Sequence, residues 1–181
     1  MTSATLALDE IFGLPAHPLI VHAAVVFIPL GAITMLLAIW PKWRRPMLTA
    51  TAALSVLGAI FILLAANSGG ALEERAEANY DHSLVEEHSE AGDKAQAPAV
   101  LFAGVAVLAL AADHLRGKDK KFKGKSMPTW APTALLAATV ITGGVSAGLV
   151  VNAGHTGAKS VWNKVANNTG GEKSESGNDE G

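Results

Sequence analysis

The chain contains no cysteine. Disulfides, thiolate nucleophiles, cysteine-held iron–sulfur clusters and covalently attached c-type haem are thereby excluded. Compartment is not constrained, because a protein without thiols suits either redox environment. Charge is also scarce. Only 17% of the residues are Asp, Glu, Lys or Arg, and a formal net charge of −2 offers no basic field to a nucleic acid. There is no phosphate-binding glycine loop and no Ser–His–Asp pattern at a recognisable spacing, so no catalytic motif marks an enzyme. No Lys or Arg precedes the first apolar segment, which follows Asp9 and Glu10 and is too long for the apolar part of a signal peptide. What the chain has in abundance is apolar residues. They make up 50% of its 181 residues, with a mean hydropathy of +0.30, too apolar for an ordinary soluble domain.

Four segments are long and apolar enough to cross about 30 Å of hydrocarbon, which takes roughly 20 residues of helix. They run over about 19–40, 47–67, 97–115 and 130–152. Four such stretches leave too little polar chain to cover them in water. The expected fold is therefore all-α: an integral membrane four-helix up-down bundle forming one domain over 1–165. The tail 166–181, rich in Asn, Gly, Ser, Glu and Lys, is too polar to bury and is expected to be disordered.

Charge placement sets the orientation. Lys42, Arg44 and Arg45 lie in the first connection, and Arg116, Lys118, Lys120, Lys121, Lys123 and Lys125 in the third. The second carries eight carboxylates against Arg75 and Lys94. The positive-inside rule puts loops 41–46 and 116–129 in the cytoplasm and both termini outside, in a multi-pass protein of the cell membrane. Trp40, Trp43, Trp130 and Trp162 fall near span ends, where indoles favour the interface. The short first connection makes spans one and two antiparallel neighbours. The second opens with Ser68-Gly69-Gly70, a helix stop, and its polar stretch predicts a short exoplasmic helical segment lying over the bundle. Small residues in span two (Ala52, Ala53, Ser55, Gly58, Ala59) and Gly144 and Gly148 in span four suit close packing within the bundle, with a homodimer as the second use of the GxxxG pair.

This topology places five of the six histidines at one side. His17, His22, His82, His88 and His155 fall at or outside the same helix ends, and only His114 at the other. Histidine is expensive in lipid and is the commonest metal ligand among side chains. His17-Pro18 opens the first span, with Pro18 suited to a first helical position. His22 lies five residues on, roughly 140° around the axis from His17, so the two would not chelate one ion. The arrangement expected is His22 facing the interior and His17 at its rim. His82 stands among carboxylates on a solvated face. His88 precedes the return to the bundle, and His155 lies between Gly154 and Gly157, which could turn the chain and aim the imidazole over the bundle mouth. His22, His88 and His155 are therefore expected to converge, with His17 near. Two axial histidines would hold haem b; three with a carboxylate such as Glu87 would suit a divalent metal such as zinc. The alternatives are a hydrogen-bonded polar cap on a non-catalytic accessory or scaffold subunit, and a histidine-based pH-responsive protein. At the opposite end, Asp113-His114 should pair with the basic loop. No ionisable residue sits at mid-depth, which argues against an ion-coupled transporter with a membrane-centre site.

Several of these segments resemble a known family. They are the opening HPLIVH, Ala65-Ala66-Asn67-Ser68-Gly69-Gly70 followed by Leu72-Glu73-Glu74, the element Glu87-His88-Ser89-Glu90, and the closing Gly154-His155-Thr156-Gly157-Ala158-Lys159-Ser160-Val161-Trp162. Together they look like the bacterial four-helix membrane proteins grouped as domain of unknown function 2231, over about residues 13–163. The family usually ends Gly-Gly-x-x-Val-Tyr where this chain has Gly157-Ala158-Lys159-Ser160-Val161-Trp162. The resemblance carries over His17, His22, His88 and His155. Members are sometimes fused to Rieske or c-type cytochrome domains, which implies redox company, a larger membrane or respiratory-type redox complex, for this chain. The family supplies no activity.

Overall fold

Runs of Leu, Ile, Val and Ala with no charge to solvate leave the backbone one way to satisfy its polar groups in lipid, the α-helix. Four form. In the computed structural model, which describes residues 10–11, 14–77, 81–116, 128 and 130–171, α1 spans Ala16–Leu37, α2 Arg44–Glu77, α3 His82–Arg116 and α4 Ala131–Gly171. A two-residue antiparallel ladder, β1 (Glu10–Ile11) with β2 (Leu14–Pro15), precedes α1. Side chains are described within 16–70, 81–115 and 130–163 and at 128. Stretches long and apolar enough to cross a membrane lie at Ala16–Leu37, Arg44–Gly70, His82–Leu115 and Ala131–Asn163, as expected from the four apolar segments.

Each helix packs on its neighbours in sequence, and α1 and α4 close the ring. The outside of the bundle is apolar: Val26, Ile33, Leu101, Leu108, Ile141 and Val151 are all exposed, the inverse of a water-soluble bundle. The inside is built in layers. Met35, Ala38, Leu48 and Ala109 fill the end that carries the basic connections. Phe102 fills the middle, fully buried, where a Cβ on Gly143 would stand 2.8 Å and one on Gly31 3.4 Å from its ring; both glycines make room for it. The third layer, Ala16, Ile20 and Ala65, is thinner. Polar residues in the core spend their hydroxyls on their own helix, as Thr51 does on Met47 O (2.9 Å) and Thr139 on Leu135 O (2.6 Å).

At the basic end, Arg44 and Arg45 converge on Asp113 (Nε to carboxylate 3.2 and 3.9 Å), and Arg45 Nη2 donates to His114 Nδ1 (3.2 Å). The pairing of Asp113-His114 with basic residues thus holds, through the first connection's arginines.

Four expectations change. The polar stretch between spans two and three forms no separate helix over the bundle; α2 continues through Gly69 and Gly70 to Glu77 and α3 begins at His82, so the polar turns are extensions of the spanning helices. In-register packing of α2 against α1 and α3 outweighs the modest helix penalty of two glycines. Likewise α4 runs unbroken through Gly154 and Gly157 to Gly171, so no turn aims His155. Residues 166–171 are helical, not disordered; the remaining tail, 172–181, lies outside the described residues. Finally, Gly144 and Gly148 do not pack within the bundle. A Cβ on either would meet nothing within 4 Å, and both face outward, as does Ala53 of α2, whereas Ala52, Ser55, Gly58 and Ala59 are buried as expected.

Asp81 caps α3. Its Oδ1 accepts from the Ser83 hydroxyl (2.7 Å) and the Ser83 N–H (3.0 Å), filling donors that a helix start leaves open. The Ser83 hydroxyl bond first, and the backbone bond second, hold the Asp81 carboxyl below its ordinary pKa. A depressed folded-state value means the cap stabilises above the unfolded carboxylate's pKa and is lost as pH falls through the folded one. Amide protection factors at Ser83, Leu84 and Val85, taken relative to the intrinsic exchange rate at each pH, should therefore fall on acidification, and in Asp81→Ala they should be low at every pH.

Candidate functional site

The buried residues of α1 are Ala16, Ile20, Ala24, Ile28, Gly31 and Met35. At 100° per residue these define one stripe, and His17 falls within it while His22 falls on the far side. The two therefore exchange their expected places: His17 is half-buried between helices and His22 is exposed. A span that is apolar all round carries no moment to announce which face is inside, which is why sequence pattern alone misassigned them.

His17 Nδ1 lies 3.0 Å from Ala65 O and 3.3 Å from Ser68 Oγ on α2. Ser68 Oγ itself donates to Ala65 O (3.1 Å). His88, on α3, repeats this on α4. Its Nδ1 lies 3.0 Å from Ala153 O and 3.4 Å from Thr156 Oγ1, and Thr156 Oγ1 donates to Ala153 O (3.0 Å). A carbonyl only accepts, so Nδ1 of each imidazole carries a proton, and in the neutral ring the lone pair is then on Nε2. A glycine seats each ring: a Cβ on Gly69 would be 3.1 Å from His17 Cε1, and one on Gly157 2.8 Å from His88 Cε1.

The α1–α2 and α3–α4 hairpins are thus two versions of one unit. His17 corresponds to His88, Ala65-x-x-Ser68-Gly69 to Ala153-x-x-Thr156-Gly157, and Thr51 bonded to Met47 O to Thr139 bonded to Leu135 O, at a constant offset within α2 and α4. The unit's signal in the sequence is the recurrence of Ala-x-x-(Ser/Thr)-Gly with a histidine one helix earlier. The two rings meet where the units meet, with centroids 6.1 Å apart and planes at 81°.

Both rings line a cavity of about 850 Å³ that passes between the hairpins. One side lies between α1 and α4, with Val21, His22, Val25, Val150 and Trp162; the other lies between α2 and α3, with Ser89, Asp93 and Gln96. Gly70 and Gly92 also line it, and a Cβ on either would find open space. His22, whose Nδ1 donates to Pro18 O one turn back, also lines the cavity.

The other candidates stand apart. His155 is exposed on α4 and does not line the cavity. Glu87 pairs with Lys159 (3.8 Å) across α3 and α4. His82 is solvated beside Glu86 (3.9 Å), as expected. The expected convergence of His22, His88, His155 and Glu87 does not form, and among the described residues no group of three His, Asp or Glu is placed to hold a metal ion. The structure instead pairs His88 with His17.

Compared with known proteins, residues 13–170 match the family model described as "Predicted membrane protein (DUF2231)". No curated protein and no solved structure matches.

Proposed function

The chain belongs to the DUF2231 family of predicted membrane proteins, and we propose that this member is a redox-associated membrane subunit in which His17 and His88 would hold one haem b between the two hairpins. One observation carries the reading: two imidazoles from separate hairpins, each held through Nδ1 on a backbone carbonyl, face one cavity with ring centres 6.1 Å apart. Two imidazole nitrogens on opposite sides of one metal ion, each at about 2.0–2.1 Å with its ring centre roughly 1.1 Å behind, stand with centres about 6.3 Å apart. A carbonyl on the second ring nitrogen is the usual support of a histidine ligand, fixing tautomer and orientation and raising basicity. The cavity's volume lies within the range of cofactor sites, and Gly69, Gly70, Gly92 and Gly157 keep its walls flat enough for a planar ring. A lone divalent ion would need more ligands than two imidazoles.

Bound haem would supply one-electron transfer. The residues of this chain that would hold it are His17 and His88, with Ser68 and Thr156 beside their Nδ1 atoms helping to orient the two rings. In the orientation we propose, from the basic connections at the opposite end, this site faces the exoplasm and both termini lie outside. Partners would then be redox proteins of that side or of a larger membrane complex.

Detergent-purified protein, expressed with haem available, should show a Soret band and a low-spin reduced α-band at one haem per chain. Imidazole planes at 81° should give a strongly anisotropic low-spin ferric EPR signal. A colourless protein that takes up no haem on titration sinks the reading.

A further inference from the structure

The end of the bundle that carries the basic connections takes no part in the cavity, and its charges are unbalanced. Among the described side chains there, Lys42, Arg44 and Arg45 share a single carboxylate, Asp113. It satisfies neither arginine fully. Arg44 Nε makes an ion pair at 3.2 Å without a hydrogen bond, and Arg45 Nε stands 3.9 Å away. At the other end Lys94 sits on Glu90 (2.6 Å) and Lys159 on Glu87 (3.8 Å), while Asp81, Glu86 and Asp93 are exposed besides. Among the described side chains, the excess of positive charge is therefore confined to one end. Arg45 is also held in one place. Its Nε faces Asp113 and its Nη2 donates to His114 Nδ1, both residues close to the end of α3. A guanidinium carries five N–H donors in a planar fork. The grip on Nε and Nη2 leaves both hydrogens of Nη1 for a further partner, on a side chain 59% exposed against 28% for Arg44. Exposed indoles set the depth. Trp40 and Trp43 lie in the first connection and Trp130 just before α4, and such rings settle at the headgroup level of a bilayer. Arg45 follows Trp43 by two residues, and exposed Leu115 follows its partner His114, bringing the apolar surface of α3 up to it.

We infer that this end seats the headgroup of an anionic phospholipid from the leaflet it faces, with Nη1 of Arg45 donating to the phosphodiester and Lys42 and Arg44 adding charge. The inference is independent of what the cavity holds. The partner must bring negative charge, since three cations share one carboxylate. It must offer paired oxygens to a fixed fork, the geometry in which a guanidinium meets a phosphate. It must also lie at headgroup depth, with an apolar part against the bundle. An anionic phospholipid meets all three conditions. A zwitterionic one brings its own ammonium to a surface that is already cationic, and a soluble anion has no apolar part.

The test uses the full chain in detergent, with dioleoylphosphatidylglycerol or dioleoylphosphatidylcholine added back and binding read by native mass spectrometry. Wild type should prefer phosphatidylglycerol, and the preference should shrink as salt is raised. Each cation beside an anionic headgroup changes affinity about fivefold. Lys42→Gln, exposed in the connection, should therefore bind phosphatidylglycerol about fivefold more weakly. Arg45→Gln, which also loses its hydrogen bonds, should lose about tenfold or more. Lys94→Gln, at the other end, should bind as wild type does. Glycerol 3-phosphate, the same anion without acyl chains, should not displace the lipid. Equal affinity for the two lipids overturns the site, as does displacement by glycerol 3-phosphate, which would make it a site for soluble anions. Wild-type affinity in a folded Arg45→Gln protein overturns it too. Where Arg45→Gln does not fold, Lys42→Gln decides, and wild-type affinity there overturns the inference.

Discussion

His17→Ala and His88→Ala should each abolish the six-coordinate haem spectrum, and the two should do so to the same degree. The two imidazoles occupy equivalent places in a repeated hairpin, each held at 3.0 Å from a carbonyl of the neighbouring helix. Removing either would leave only one of the two residues proposed to hold the haem, so haem affinity should fall by well over the 10–100-fold typical of losing a residue that only supports a ligand. Ser68→Ala and Thr156→Val lie in that supporting class. They should retain haem, weaken it within that range and shift its midpoint potential, because the hydroxyl next to Nδ1 is gone while the carbonyl remains. His155→Ala, remote from the cavity, should change nothing. Haem titration of the apoproteins, followed at the Soret band, checks all five. A His155→Ala loss equal to that of His88→Ala would contradict the pairing seen here.

Gly157→Ala should be the most damaging single methyl in the molecule for this site. The added Cβ would lie 2.8 Å from His88 Cε1 and 3.0 Å from Nδ1, against an optimal carbon–carbon separation of about 3.5–4.0 Å. The imidazole cannot retreat without giving up Ala153 O, so either the hydrogen bond or the helix spacing yields. Overpacking of this kind costs about 1–3 kcal/mol, and here it also displaces a ligand. Gly69→Ala, at 3.1 and 3.3 Å from His17, should do the same more weakly. Gly154→Ala, 3.4 Å from Val25, and Gly104→Ala, with nothing within 4 Å, should be tolerated. Thermal unfolding in detergent and haem titration together separate a packing defect from a ligand defect. The expected order of loss is Gly157, Gly69, then Gly154 and Gly104 together. An equal response at all four would mean that the rings are not seated on these glycines.

The bundle itself was legible without coordinates, because apolar length and the scarcity of charge determine it. Leu, Ile and Val runs of about 20 residues can bury their backbone in lipid only as helices, and the pairing of Asp113-His114 with basic residues follows from opposite charges at one helix end. The site was legible only in part. The one-sided histidines and the family resemblance selected His17 and His88 among four candidates, yet they favoured His22 and His155 as partners of His88. In a soluble helix the polar face would have settled which of His17 and His22 points inward. In a span whose every face is apolar, orientation depends on which small residues let the neighbouring helix approach, here Ala16 and Ala24 of α1 and Ala65 of α2.

Glycine shows the same division. Gly69-Gly70 and Gly154 read locally as helix ends, since glycine alone weakens a helix. The packed bundle keeps them helical, and uses Gly69 and Gly157 as the flat seats on which two imidazoles rest. The sequence by itself determined a four-span membrane bundle of one family with histidines gathered at one end. Only the tertiary structure decided that His17 faces His88 and that His155 stands apart, because that depends on the rotation of each helix about its axis, which side-chain packing between helices sets and hydropathy does not encode.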